Sequence, residues 1–246
     1  MGQAGLCSRR EAESLIADGK VSIDGQIITS PGHKIQPGQT LLLSQATRAA
    51  LQNKFSAVLY KPVGIVSAQP EPGEIPAARL LTRETLIGPG KPPGAHMSLP
   101  ALGRLDKDSR GLLILSQDGV LAKALIGPDG GMEKEYIVKV KGDITEAKIA
   151  KLCHGLHLDN RALKPAKVTQ IDPQSLRFIL KEGRNRQIRR MCDDVDLRVF
   201  DLLRIRIGSL KLGTLKSGHW RLLTDMERSK LIGQKPQPSR QGRSIR

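Results

Sequence analysis

The stretch Gly103-Arg104-Leu105-Asp106-Lys107-Asp108-Ser109-Arg110-Gly111-Leu112-Leu113-Ile114-Leu115-Ser116-Gln117-Asp118-Gly119 decides how the chain is read. It changes character halfway. From Arg104 to Arg110 it holds five charged residues, one Leu and one Ser. From Leu112 to Leu115 four apolar residues run without a break, closed by Ser116-Gln117-Asp118-Gly119. An apolar run of that length between turn residues predicts a buried strand. A charged loop thus feeds directly into a core strand, so the scaffold fixes whatever the loop presents. Taken alone, an Asp in such a loop is ordinarily a turn former or a solvated charge.

The bulk composition narrows the partners. The chain has 246 residues, a net charge of +16 and a pI of about 10.1. The length admits one large domain, or a medium domain with a small one. A protein this basic is expected to meet a polyanion, with nucleic acid first and a lipid surface second. No apolar run approaches the roughly 18 residues of a spanning helix, and Met1 to Glu13 lacks the apolar core of a signal peptide. Met1-Gly2 hints at myristoylation, but Leu6 stands where Ser or Thr is required. Cys7, Cys153 and Cys192 have no CxxC or zinc-finger spacing and read as reduced thiols of a cytoplasmic protein. His154 and His157 flank Gly155, which favours a loop, and no third ligand is near, so no metal is expected. The absence of GxGxxG and GxxxxGK[ST] loops argues against a nucleotide-fuelled enzyme and a Rossmann-type methyltransferase. The six aromatics, Phe55, Tyr60, Tyr136, Phe178, Phe200 and Trp220, leave few rings for base stacking.

Taken in order, Ser8 to Ile16 predicts a helix. Ser8 and Glu11 have capping-box spacing, Ala12, Leu15 and Ile16 form an apolar stripe, and Gly19 ends it. Asp24-Gly25 marks a hairpin between Val21-Ser22-Ile23 and Gln26-Ile27-Ile28, and Leu41-Leu42-Leu43 makes a third strand. Residues 45–54 read as a linker. Phe55 to Lys61 opens a second unit as a strand broken by Pro62. Residues 68–101 are rich in Pro and Gly and only partly helical between Glu74 and Leu86, with 88–94 as loop. Val120 to Ile126 and Thr145 to Leu152 read as helices, and Lys134 to Val140 alternates like a half-buried strand. Leu163 to Leu180 reads as two strands around Asp172-Pro173. Gly183 to Cys192 packs four Arg into seven residues, a density suited to carboxylate or phosphate. Phe200 to Leu212 reads as a strand with Arg204 and Arg206 on one side, Gly218 to Thr224 as a closing strand, and Asp225 to Leu231 as a last helix. Residues 233–246 form a Pro-, Gln- and Arg-rich tail with four positive charges and no acid, expected to be disordered until it meets RNA.

Three segments together resemble the RsuA-like family of ribosomal RNA pseudouridine synthases: Gly103 to Leu113, Lys134-Glu135-Tyr136, and Asn185-Arg186-Gln187-Ile188-Arg189-Arg190-Met191-Cys192. Ser8-Arg9-Arg10-Glu11-Ala12 followed by Val21-x-Ile23-x-Gly25 resembles the S4 RNA-binding domain that precedes the catalytic domain in that family. The resemblance covers residues 5 to 231 and is strongest to the large-subunit enzymes of the RluF type. It implies an α+β architecture: an S4-like domain over 1–46, a linker over 47–54, a catalytic domain over 55–232 with a largely antiparallel sheet and a central cleft, and the tail over 233–246. The family's S4 domain starts with a further helix, so either the start codon is misassigned or this S4 domain is expected to be truncated, near 40 residues and close to the lower limit for independent folding. The 88–94 loop is longer than the family's and reads as an insertion.

The resemblance also implies roles. Asp106 is the catalytic residue, Tyr136 lies against the target base, and Arg189 pairs with Asp106. Arg186 and Arg190 are left for phosphate or structure. Arg9, Arg10, Lys20, Arg104 and Lys107 are expected to contact RNA, and Lys61 either touches the RNA backbone or holds a turn. The reaction breaks the uridine N1–ribose bond, turns the base and rejoins it through C5. It involves no redox change, so no cofactor is needed. It requires a carboxylate, a cation to keep it ionised and a surface for the loose base, with the target flipped out of its stack. The expected partner is ribosomal RNA, 23S before small-subunit RNA or tRNA, and the protein is expected to be a cytoplasmic monomer. The rival expectation is a ribosome-assembly factor that keeps the fold without turnover.

Overall fold

The computed structural model describes Met1 and residues 6–52, 54–127 and 131–233, so most of the expected disordered tail lies outside the described residues. Helix α1 (Arg9–Ala17) carries the capping box: Glu11 N donates to Ser8 Oγ (3.4 Å) and Ser8 N to the Glu11 carboxylate (2.9 Å). Strands β1 (Val21–Ile23) and β2 (Gln26–Ile27) meet at Asp24-Gly25, both at positive φ (50° and 85°), as a tight hairpin requires. Strand β3 (Leu41–Leu43) completes a three-stranded antiparallel sheet ordered β2-β1-β3. Val21, Ile23 and Leu43 are buried, but α1 buries none of its own residues, so this unit is thinly packed.

The expected linker is a helix, α2 (Gln45–Gln52). Its polar sequence hides the tendency. Ser44 initiates it, with its Oγ accepting from Thr47 N (3.2 Å) and its carbonyl from Arg48 N (3.0 Å), and Ala46, Ala49, Ala50 and Leu51 are strong helix formers.

The remaining elements are β4 (Ser56–Lys61), β5 (Ala101–Leu102), β6 (Arg110–Ser116), α3 (Gly119–Ile126), β7 (Lys134–Lys141), α4 (Glu146–Cys153), β8 (His157–Leu158), β9 (Arg161–Ala162), β10 (Lys167–Asp172), β11 (Ser175–Leu180), α5 (Gln187–Asp193), β12 (Arg198–Ile207), β13 (Leu210–Lys211), β14 (Trp220–Leu222) and α6 (Asp225–Leu231). Residues 74–86 contribute only a 3-10 turn, Ala77–Leu80. The large sheet runs β10-β11-β7-β12-β6-β4-β14, with β13 on β12 and β5 on β6. Every pairing in it is antiparallel except β6 with β12. Strand β6 is buried on both faces because one core packs against Leu112 and Ile114 and another against Leu113 and Leu115. That explains its unbroken apolar run. Strand β7 alternates, with Lys134, Tyr136, Val138 and Val140 turned inward.

The parallel joint between β6 and β12 is short, Leu203 against Arg110 and Arg204 against Gly111. There the backbones nearly touch: a Cβ on Gly111 would lie 2.3 Å from the Arg204 carbonyl oxygen and 2.7 Å from its nitrogen, and Gly111 has φ +113°. Only glycine fits. Arg204 and Arg206, expected on one side, are on opposite sides. A bulge between them places Arg204 across from Tyr136 and Arg206 across from Glu135. Arg204 turns into the core, and Arg206 pairs with Glu135 (2.6 Å) and Glu133 (3.2 Å).

This joint gives a stability prediction. Gly111→Ala should cost about 3 kcal/mol or more, from backbone strain and overpacking together. Gly213→Ala, also at positive φ but with nothing within 4 Å of its Cβ, should cost about 1 kcal/mol. Urea unfolding of both variants checks the contrast.

Candidate active site

The loop between β5 and β6 presents Asp106, and its backbone is held carbonyl by carbonyl. Arg204 donates to Gly103 O (2.9 Å) and Arg104 O (3.3 Å), with its Nε on Leu112 O (2.8 Å). Ser67 Oγ donates to Leu105 O (2.6 Å) and accepts from Leu105 N (2.8 Å). Ser109 N donates to Asp106 O (3.1 Å), Gly64 N to Lys107 O (2.8 Å), and Arg189 Nη2 to Asp108 O (2.9 Å). Arg204 is 1% exposed, and no carboxylate pairs with it among the described residues. Carbonyl dipoles satisfy its charge instead, which makes its burial tolerable.

The arginines of α5 close the other side. Arg186, the N-cap, has left-handed backbone angles (φ 49°, ψ 30°) and no side-chain cap. Such a conformation in a non-glycine residue is uncommon and gathers at functional sites. Its guanidinium reaches both Asp108 oxygens (3.3 and 3.2 Å) and lies 3.9 Å from Asp106 Oδ2. Arg189 is turned differently: it donates to Val199 O (3.3 Å) and Asp108 O, and its Nη2 is 3.3 Å from Asp108 Oδ2. Its buried Nε has no partner among the described residues. The expected pairing of Arg189 with Asp106 is thus corrected. The ion-pair partner of Asp106 is Arg186, because bonds to β12 and to the loop backbone lock Arg189 onto Asp108. Burial works against the Asp108 carboxylate, but the hydrogen bonds from Arg186 and the charge of Arg189 outweigh it and hold the group below the ordinary range.

Of the two roles expected for Lys61, the structure shows the turn. The residue is fully buried and donates to Pro62 O (2.8 Å) and Ile65 O (2.7 Å), so it holds the turn after β4 and cannot reach an RNA backbone. Burial pushes its ammonium down to about 8, against the pull of the nearby Asp106 and Asp108 carboxylates and with the Arg204 guanidinium adding to the fall.

A cavity of about 630 Å³ opens above the loop, lined by Asp106, Lys134, Tyr136, Arg186, Arg189 and Arg204 among others. Tyr136, 7% exposed, faces it from β7. Arg104 also lines it and is exposed. Lys107 stands on the surface paired with Glu74 (2.9 Å). Arg190 is drawn away to Asp159 (2.8 and 3.1 Å). Arg9, Arg10 and Lys20 are exposed on the N-terminal unit, Arg9 paired with Glu13 (3.0 Å) and Lys20 with Asp18 (2.9 Å). Sequence reasoning missed Asp108 as the anchor of two arginines, Arg204 as the clamp of the loop, and Lys134 on the cavity floor. Lys134 was legible, since it shares the inward phase of β7 with Tyr136. No group of three or more metal-ligating side chains gathers among the described residues.

The chain is similar to known proteins over most of its length. The sequence profile described as RNA pseudouridylate synthase matches residues 56–194, and that of the S4 domain matches residues 3–41. The dual-specificity RNA pseudouridine synthase RluF of Escherichia coli (strain K12) is 34% identical over 230 residues, covering 92% of this chain and 74% of that protein. The ribosomal large subunit pseudouridine synthase B of Bacillus subtilis (strain 168) is 32% identical over 238 residues, covering 94% and 93%. The crystal structure of a pseudouridylate synthase superposes with a TM-score of 0.65 at 25% identity, covering 91% of this chain and 94% of that one.

The buried lysine gives a pH prediction. From about pH 8 to its ordinary value of 10.5 the unfolded chain keeps a proton on Lys61 that the folded chain has released. The unfolded state binds more protons there, so the contribution of this site to stability rises with pH across that window and is lost as pH falls through 8. Urea titrations of the native protein and Lys61→Met should show the native-minus-variant difference growing between pH 8 and 10.5. A flat or falling difference contradicts the burial of the charged amine.

Proposed function

The chain belongs to the RNA pseudouridylate synthase family, and on that premise we propose that it isomerises a uridine of 23S ribosomal RNA with Asp106 as the catalytic carboxylate. The enzyme class itself, an RNA pseudouridine synthase with an S4 RNA-binding domain, follows from the family and from relatives matched over most of their length. The observation that carries the residue assignment is the convergence of Asp106, Arg186 and Tyr136 on one cavity, with the Asp106 loop held by its backbone.

In this reading the target nucleotide is flipped from its stack into the cavity. Asp106 meets the ribose as the N1–C1′ bond breaks, either as nucleophile at C1′ or as a base. Arg186, 3.9 Å away, orients the carboxylate. The Tyr136 ring gives the freed uracil a surface on which to turn. Asp108, itself held by Arg189, keeps Arg186 in place. The exposed Arg104 and Lys107 take the flanking phosphates, while Arg9, Arg10 and Lys20 of an S4 domain over residues 1–46 hold the RNA at a distance from the cleft. The large-subunit assignment is supported by the name of the Bacillus subtilis relative. The protein is read as working as a monomer in the cytoplasm. No described helix is long and apolar enough to cross a membrane.

Tritium release from ribosomal RNA labelled at uridine C5 tests this reading, because C5 loses its hydrogen when it bonds to ribose. Asp106→Asn should lower release by about three orders of magnitude or more while RNA binding persists. Arg186→Gln should lower kcat by about 10²-fold. Arg190→Gln, whose charge is engaged by Asp159, should stay within about twofold, as surface pairs usually do. Tight, salt-sensitive binding without any release would favour an assembly factor that keeps the fold without turnover.

A further inference from the structure

We propose that Lys134 is a second catalytic residue, the cation that carries the negative charge the uracil ring acquires when its bond to ribose breaks. The inference deepens the reading of Asp106 above and rests on it.

The chemistry creates the need. When N1–C1′ breaks, its electron pair stays with the ring, leaving a uracil anion with charge spread over N1, O2 and O4. The electron-poor C1′ is held by the Asp106 carboxylate. The ring then turns, C5 supplies the pair for the new bond to C1′, and the carboxylate is released. C5 gives up its proton to solvent and N1 takes one back, so the atoms balance as an isomerisation. Between the two bonds, a buried monoanion must rest in the cavity. A fixed positive charge at that point stabilises the departing ring far more in a water-poor site than it would in solution.

The cations lining the cavity are not equally free to do this. Arg186 and Arg189 are engaged by Asp106 and Asp108. Arg184 donates to the carbonyls of Leu158, Arg161 and Ala162. Arg204 holds the loop. Lys164 and Lys181 are exposed to solvent. Lys134 alone of these is both buried, at 9% exposure, and nearly unengaged. Its ammonium donates to one acceptor, Met132 O at 3.2 Å, and no carboxylate lies within ion-pair distance among the described residues. An ammonium has three N–H groups, so two remain for a ligand. Its position on β7, two residues before Tyr136 and on the same face, sets it beside the ring surface assigned to the base. Burial, and then the neighbouring Arg204 guanidinium, push this ammonium below its ordinary range. An anion arriving in the cavity relieves both.

The test follows single-turnover consumption of the target nucleotide by nuclease digestion and mass spectrometry, in RNA carrying uridine or 5-fluorouridine. Fluorine at C5 withdraws electrons, so the fluorinated ring bears the charge with less help. Lys134→Met should slow the uridine reaction by about 10²-fold, the scale of losing one charge-stabilising donor, with RNA affinity within about threefold. The same variant should be at least tenfold less impaired on 5-fluorouridine, and Lys134→Arg should recover part of the rate. Should Lys134→Met fold poorly, Lys134→Gln, which keeps an N–H donor without the charge, is expected to show the same pattern. A native rate in either neutral variant, or an equal loss on the two substrates, overturns the proposal. Asp106→Asn is run alongside. If it still turns over, the reading of Asp106 fails. If it is silent while Lys134→Met runs at the native rate, only the role of Lys134 fails.

Discussion

Every carbonyl from Gly103 to Asp108 is taken by a donor, and the donors come from different parts of the chain. Ser67 and Gly64 follow β4, Arg189 lies on α5, and Arg204 lies on β12. A surface loop normally leaves such groups to water and moves accordingly. Here each bond contributes only about 1 kcal/mol net, but together they remove the loop's freedom before any RNA arrives. The site is thereby pre-organised, which is where enzymes gain most from fixed dipoles and charges. The same bonds tie the two halves of the sheet together at the parallel β6–β12 joint, where Gly111 lets the Arg204 backbone approach.

The charge distribution follows from this clamp. Two cations, Lys61 and Arg204, lie buried beneath the loop and satisfy themselves on carbonyl oxygens. Two carboxylates, Asp106 and Asp108, stand above it and face the arginines of α5. Asp108 receives the shorter contacts, which leaves Asp106 near a guanidinium without being fully engaged by it. Asp106 therefore keeps a side open to the cavity that it lines. The exposed cations, including Arg9, Arg10, Lys20, Arg104 and Lys107, lie outside this core and give the chain its large positive surplus.

Much of the fold was legible because period and punctuation agreed. The unbroken run Leu112 to Leu115 gave a strand buried on both faces, the alternation from Lys134 gave a strand with one inward face, and Asp24-Gly25 gave a tight hairpin. The misses have local causes. The apolar stripe of helix α2 is built from small residues, Ala46, Ala49 and Ala50, which are easily read as linker, and the Ser44 cap sets its start. The small hairpin of β8 and β9 turns on Asp159-Asn160, both at positive φ, a turn signal without strand-like residues on either side. The bulge after Arg204 breaks the period of two, so its neighbour Arg206 was read onto the wrong side. In the site, the residue types that gather were readable, but not which arginine faces which carboxylate. That depends on the left-handed turn at Arg186 and on Val199 holding Arg189, and neither has a sequence signature.

The most direct test of the account is a pseudouridine map of ribosomal RNA treated with the purified protein, read as carbodiimide-dependent stops in primer extension. The account predicts new stops confined to unstacked or loop uridines of large-subunit RNA. A map unchanged in both ribosomal RNAs, or altered only in the small-subunit RNA, would contradict it.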